Sequence, residues 1–129
     1  MPNSETAFDA TCLFCRIAAR ELPATIVRET DDFLAFRDIA PQAPTHVLVI
    51  PKQHGYRDAA ELALGDPALA AGLLAEGFEV AKLDGLTDHG EIPGYRFVLN
   101  SGDAAGQTVY HVHLHVLGGA ALGHFGARG

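Results

Sequence analysis

The chain is short of the features that mark several protein classes. Among its 129 residues only two are cysteine, Cys12 and Cys15, too few for the disulfide framework of a small secreted domain. No apolar stretch approaches the roughly 20 residues that a membrane helix needs, so no membrane association is expected. Basic side chains are scarce: 9 Lys and Arg against 16 Asp and Glu leave a formal charge of −7. That balance excludes the basic face of a protein that grips a nucleic-acid polymer, although a few local donors can still hold a single phosphate. The N-terminal MPNSETAFDATC lacks the basic start and apolar run of a secretion signal, which makes the cytoplasm the expected compartment. Repeats and linker-like stretches are missing as well.

What remains is a chain with 48% hydrophobic residues, read as one domain over 1–129 that buries roughly two-thirds of its unfolded surface. Residues 12–19 read as a short helix with Leu13, Phe14 and Ile17 on one side and Thr11 as N-cap. Strands over 25–29 and 33–37 form a hairpin about the turn at 30–32. Two prolines in Ile39-Ala40-Pro41-Gln42-Ala43-Pro44 forbid a ladder and impose a fixed loop, after which 46–50 is an apolar strand. The clearest helix covers 67–83, with Asp66 as N-cap, Pro67 in the first turn and Gly85 at the stop. Its packing stripe is Ala70, Leu73, Leu74, Gly77 and Ala81. Gly72 and Gly77 weaken it by about 1 kcal/mol each relative to alanine, unless close packing needs the missing side chains. A strand over 95–100, a polar Gly-rich loop over 101–108 and a last strand over 110–117 follow, with irregular tails at both ends. Strands gathered into hairpins imply an α+β fold: an antiparallel sheet of about five strands with two helices on one face.

Three of the seven histidines fall within five residues. On a strand of period two, Val112, Leu114 and Val116 face the helices, while His111, His113 and His115 line the other face about 7 Å apart. A coincidence on a solvated face is the bland reading of such a row. A metal held by the triad alone is disfavoured, because the outer pair lie about 13 Å apart and converge poorly on bonds of about 2.0–2.1 Å. Phosphate chemistry suits the row better: one imidazole attacks, its neighbours donate, and a pKa near 6.5 serves both roles at neutral pH. The loop immediately upstream supports this, since Gly102 and Gly106 permit close backbone approach and Ser101, Gln107 and Thr108 offer donors.

With those residues in place, the sequence resembles the histidine-triad (HIT) family over residues 12–119, and most closely its Hint branch of nucleoside phosphoramidases. His111 to Leu117 fits the motif His-φ-His-φ-His-φ-φ at every position. Phe36 to His46 resembles the family's strand and nucleoside loop, and Asn100 to Tyr110 its phosphate approach. The resemblance implies that His113 attacks the α-phosphorus and becomes a nucleotidyl-histidine, assisted by His115 with His46 nearby. Asn100, Gly106, Gln107, Thr108 and Val109 would hold the phosphate region, and Asp38 would accept from the ribose. Leu13, Phe14, Ile17, Phe36 and Ile39 would wall the purine of an AMP or GMP moiety. Implied substrates are purine nucleoside phosphoramidates or acyl-adenylates, with dinucleoside polyphosphate hydrolysis, nucleotidyl transfer or a nucleotide-binding interaction module as alternatives. A homodimer with joined sheets, each C-terminal tail near the partner's site, is also implied. Two features depart from the pattern: Thr108 stands where relatives commonly carry serine, and the chain has no tryptophan, leaving Phe125 in the tail region where the Hint branch often has one. His89 and His124 are expected at the surface.

The C-x-x-C pair leaves three readings open: zinc, buried free thiols, or a redox motif that lacks its βαβ context. Some family members bind zinc through such a pair, a mid-chain histidine and the first triad histidine. Here that set is Cys12, Cys15, His54 and His111, a closed tetrahedral shell and therefore a structural site, with no catalytic metal required.

Overall fold

Alternating apolar residues along the strands build two separate cores against the two sides of one sheet. The computed structural model describes residues 8–88 and 90–126, so His89 lies outside the described residues. Strands β1 (Ile26–Glu29), β2 (Phe33–Arg37), β3 (Thr45–Pro51), β4 (Tyr95–Val98) and β5 (Leu114–Gly118) pair antiparallel in the order β1-β2-β3-β5-β4. Helices α1 (Leu13–Ala18), α2 (Ala59–Gly65) and α3 (Pro67–Leu83) complete an α+β fold. Among the described residues there are three α-helices where two were expected; α2 opens with Asp58, whose side chain accepts from the Glu61 amide.

The pleat sends Ala35, Val47, Val49, Leu114 and Val116 to one side, onto Leu62, Leu73, Val80 and Ala81 of α2 and α3. Leu34, Phe36, Leu48 and Ile50 point the other way, onto Phe14, Cys15 and Ile17 of α1. Helices therefore cover both sides of the sheet, not one. The six residues of α1 are enough to close the second side because three of them are buried. Its N-cap is Cys12, whose sulfur accepts from the Cys15 amide, in place of the expected Thr11. Thr11 is itself held by Asp9, which accepts from its amide and its hydroxyl.

Helix α3 follows the sequence pattern at its ends, with Asp66 accepting from Leu69 N and Gly85 at φ +72°. Its buried stripe is Leu73, Gly77, Val80 and Ala81, whereas Leu74 is exposed. The two mid-helix glycines are explained by close approach. A Cβ on Gly72 would stand 2.9 Å from the Phe33 ring, and one on Gly77 2.5 Å from Leu114 Cδ2. Asp84 closes the helix and ties it to the sheet, accepting from Arg37 at 2.7 and 2.9 Å and from the Thr45 hydroxyl at 2.8 Å. The Arg37 guanidinium holds the Asp84 carboxyl below the usual carboxylate range, with Thr45 adding to the effect.

The last strand is shorter than its sequence suggests. Its ladder opens at Leu114, and the Val112 amide donates instead to Tyr56 O at 2.9 Å. His111 and His113 thus precede the strand proper. Val112 nonetheless keeps its place in the helix-side core.

Candidate active site and metal centre

Hydrogen bonds fix the tautomer of each histidine around the end of β5. Gln42 N–H donates to His46 Nδ1 at 3.1 Å. The proton of His46 therefore sits on Nε2, which donates to His115 Nδ1 at 2.9 Å and lies 3.4 Å from Asp38 Oδ2. That bond places the His115 proton on Nε2, which is buried and has no protein partner among the described residues. His113 is set in the opposite sense. Its Nδ1–H donates to the His111 carbonyl at 2.8 Å, which leaves the Nε2 lone pair free. The Phe14 ring meets His113 edge-on at 4.9 Å, and the rings of His113 and His115 are 5.0 Å apart.

Burial lowers the pKa of His113. Burial, followed by the neighbouring His113 and His46, pushes His115 down to about 4. Both imidazoles are neutral at pH 7. A neutral ring with a free lone pair stands beside a neutral ring with a free N–H, an arrangement suited to nucleophilic attack next to a hydrogen-bond donor.

Both face a cavity of about 530 Å³ between α1, the loop after β2 and the 100–109 segment. Leu13, Phe14, Ile17, Phe36, Asp38, Ile39, Asn100, Gly106, Thr108, Val109, His113 and His115 all line it. Every nucleotide-contact candidate from the sequence is thus gathered there except Gln107. Phe14, Ile17 and Phe36 form the buried wall, while Ile39 is almost fully exposed at the rim. A second cavity of about 860 Å³ shares Gln42, Asn100, Gly106 and His115 with the first and adds His46, Arg96 and Phe125. Three of the four shared residues, Gln42, Asn100 and His115, carry polar side chains.

Gln107 is placed differently from its expected role. It is buried, its Oε1 accepts from Gly102 N at 2.9 Å, and its Nε2 donates to Arg57 O at 2.7 Å and Val109 O at 3.1 Å. Both amide protons are engaged inside the protein. The side chain shapes the loop and does not turn to the cavity. Sequence reasoning missed Gln42, whose contribution is a backbone N–H with no residue-type signal, and Leu22, Pro23 and Leu48, which extend the apolar wall. His124 is exposed, as expected.

The first triad histidine belongs to another cluster. His111 Nε2–H donates to Pro51 O at 2.7 Å, so its Nδ1 carries a lone pair. That atom lies 3.5 Å from Cys12 Sγ, 3.7 Å from Cys15 Sγ and 3.2 Å from His54 Nδ1. The four donor atoms all lie within 4.8 Å of one another. A tetrahedral zinc with bonds of about 2.3 Å to sulfur and 2.05 Å to nitrogen has S···N edges of about 3.5 Å and N···N edges of about 3.3 Å. The donor set therefore fits zinc in both chemistry and spacing. Burial pushes the Cys15 thiol up to about 12 and His111 down to about 4; a dication among these groups supplies the charge that stabilises thiolates beside neutral imidazoles.

Comparison with known proteins agrees with this geometry. The sequence pattern of the HIT domain family matches residues 19–122. A 14 kDa zinc-binding protein of Zea mays is 44% identical over 115 residues, covering 88% of this chain and 86% of the relative. Among solved structures, a HIT family hydrolase from Legionella pneumophila is 47% identical with a TM-score of 0.77, covering 85% of this chain and 94% of its own. A zinc-bound histidine triad family protein from Mycobacterium smegmatis is 37% identical with a TM-score of 0.70, covering 83% and 73%. This chain belongs to the HIT domain family, and its C-x-x-C cluster is consistent with the zinc-binding subgroup.

Proposed function

We propose that the protein is a nucleotide-binding hydrolase that cleaves purine nucleoside phosphoramidates or acyl-adenylates through a nucleotidyl-histidine. The observation that carries this reading is the opposed protonation of two adjacent rings: the His113 Nε2 lone pair is free and the His115 Nε2–H is unpartnered.

In this reading the purine occupies the apolar cavity walled by Phe14, Ile17 and Phe36, Asp38 accepts from the ribose, and the α-phosphate sits at the junction with the second cavity. His113 Nε2 attacks phosphorus, a P–N bond forms, and the bond to the leaving group breaks. His115 Nε2–H hydrogen-bonds the departing nitrogen or oxygen, which leaves with a proton taken from solvent. Water then attacks the nucleotidyl-histidine, the P–N bond breaks, the released proton returns to solvent, and His113 is again neutral. Splitting hydrolysis in this way lets one positioned pair serve both halves. Asn100, Thr108 and backbone amides near Gly106 and Val109 provide neutral donors to the phosphate oxygens, on a loop that Gln107 holds in shape.

The metal centre has a structural role in this scheme, because two thiolates and two imidazoles leave no open position for water. Zinc there supplies charge balance and cross-linking, and no step passes through it. A homodimer fits the edge strand β4, where exposed Tyr95 borders the same cavity as exposed Phe78 of α3. The test is turnover of an adenosine phosphoramidate by the wild type and by His113→Ala. The expected result is loss of turnover with AMP binding retained in the variant. Equal turnover by both proteins, or none by either, overturns the assignment.

A further inference from the structure

We infer that the metal centre sets the nucleophile as well as pinning the N-terminal helix: zinc at Cys12, Cys15, His54 and His111 and nucleotide at His113 bind with mutual reinforcement. The inference rests on the nucleotide-hydrolase reading above and extends it to regulation of the same site.

Three physical links run between the two centres. First, His111 serves both at once: its Nδ1 faces the sulfurs, while its backbone carbonyl accepts the His113 Nδ1–H at 2.8 Å. That acceptor keeps the His113 lone pair on Nε2. Because His111 and His113 precede the β5 ladder, no strand pairing fixes this carbonyl. The side chain does, through the metal position and the Pro51 bond. Second, Leu13 and Phe14, the residues between the two cysteines, line the nucleotide cavity, and Phe14 packs edge-on against both His113 and His111. Holding Cys12 and Cys15 on one metal therefore fixes a wall of the cavity. Third, a small cavity of about 340 Å³ is bounded by Cys12 and His54 on one side and Thr108, Val109 and Tyr110 on the other. The phosphate-side loop thus borders the ligands directly.

If these links transmit order, occupancy of either centre must favour the other by one common factor, since coupling free energy is reciprocal. Couplings of this kind run from about 5-fold upward. The expected result is that saturating AMP tightens zinc binding at least about 5-fold, measured by competition with a chromogenic chelator, and that zinc tightens AMP binding by the same factor. Phe14→Leu, which keeps all four ligands, should shrink both factors together. Independently of nucleotide, long-range nitrogen NMR should find one Nδ1–H tautomer of His113 in the zinc-loaded protein and a mixture after chelation.

Affinities that ignore the other ligand, or identical His113 ring nitrogens with and without zinc, overturn the inference. Should AMP fail to bind the zinc-loaded protein, the nucleotide reading falls, and the ring-nitrogen comparison alone decides the coupling. Should chelation unfold the sheet by circular dichroism, His54→Gln replaces it, since that variant keeps both thiolates and His111. Loss of the sheet in His54→Gln as well would also overturn the inference, because the metal would then be holding the whole domain.

Discussion

Replacing Gln107 by alanine separates two roles that predict different behaviour in the absence of any nucleotide. A side chain reserved for phosphate waits unpaired in the free protein, and its removal leaves ligand-free stability within about 0.5 kcal/mol. The structure instead shows three bonds, to Gly102 N, Arg57 O and Val109 O, from a residue only 3% exposed. At about 1 kcal/mol net for each bond the loss sums to about 3 kcal/mol. Partial rehydration of the freed backbone groups offsets some of this, so about 2–3 kcal/mol is expected. For a domain of this size that lowers Tm by roughly 8–12 °C. The measurement is urea unfolding followed by far-ultraviolet circular dichroism, with differential scanning fluorimetry for Tm and no nucleotide present. In turnover assays KM should also rise, because the loop bearing Thr108 loosens. A stability change below 0.5 kcal/mol, accompanied by a large rise in KM, would refute the clamp and restore the direct phosphate contact.

Three further outcomes follow from named contacts. His46→Ala removes the donor that sets the His115 tautomer, so kcat should fall by roughly 10²-fold with KM little changed. His46→Gln, whose amide can still donate, should recover part of that loss in the same steady-state assay. Gly77→Ala adds a methyl 2.5 Å from Leu114 Cδ2 and 2.9 Å from the Phe97 ring. The overpacking cost of about 1–3 kcal/mol should exceed the gain of about 1 kcal/mol in helix propensity, for a net loss read by urea unfolding. Finally, in the proposed mechanism His113 attacks only when neutral, and burial lowers its pKa from 6.5. The midpoint of the acid limb of kcat/KM should therefore lie below 6.5; a midpoint at or above 6.5 contradicts this.

How far the sequence could be read depended on whether a residue's role follows from its own type. That Leu13, Phe14, Ile17, Phe36 and Ile39 border one cavity followed from the resemblance and not from residue type, since such residues are more often plain core. The metal cluster was legible, since two thiols and two imidazoles form a recognisable donor set. The fate of His111 shows the limit of periodicity. Alternation correctly sent Val112, Leu114 and Val116 to the core, yet the strand itself starts only at Leu114. Upstream of it, the backbone groups of 111–113 serve Tyr56 and the His113 ring in place of a ladder. Helix α2 escaped notice although Asp58 and Glu61 stand at capping-box spacing. Its seven residues bury only Leu62, too little apolar repeat to stand out. Gln107 was read as a phosphate donor because a glutamine in a Gly-rich loop looks the same whether its amide faces a ligand or, as in the structure, the loop's own groups. Only the positions of Arg57 O and Val109 O distinguish the two.

An acidic protein that handles phosphate must solve an electrostatic problem, and the arrangement of neutral groups is the solution here. Among the described residues, the one cation bordering the apolar cavity, Arg37, makes two hydrogen bonds to Asp84. Beyond the junction, Arg96 donates to Gly123 O and lies over the Phe125 ring. In the proposed reading, what faces the phosphate is therefore a set of uncharged donors: the His115 Nε2–H, Asn100, Thr108 and loop amides. Such donors orient oxygens in a partly buried site without the long-range attraction of free lysines and arginines. They also bind a released nucleotide monoanion or dianion less strongly than a cationic cradle does, because charge-assisted hydrogen bonds are roughly twice as strong as neutral ones. Weak retention favours release of product and return of the two rings to their resting tautomers. Burial, acting against the pull of Asp38, keeps His113 and His115 neutral, so the desolvation that strengthens neutral donors also readies the proposed nucleophile.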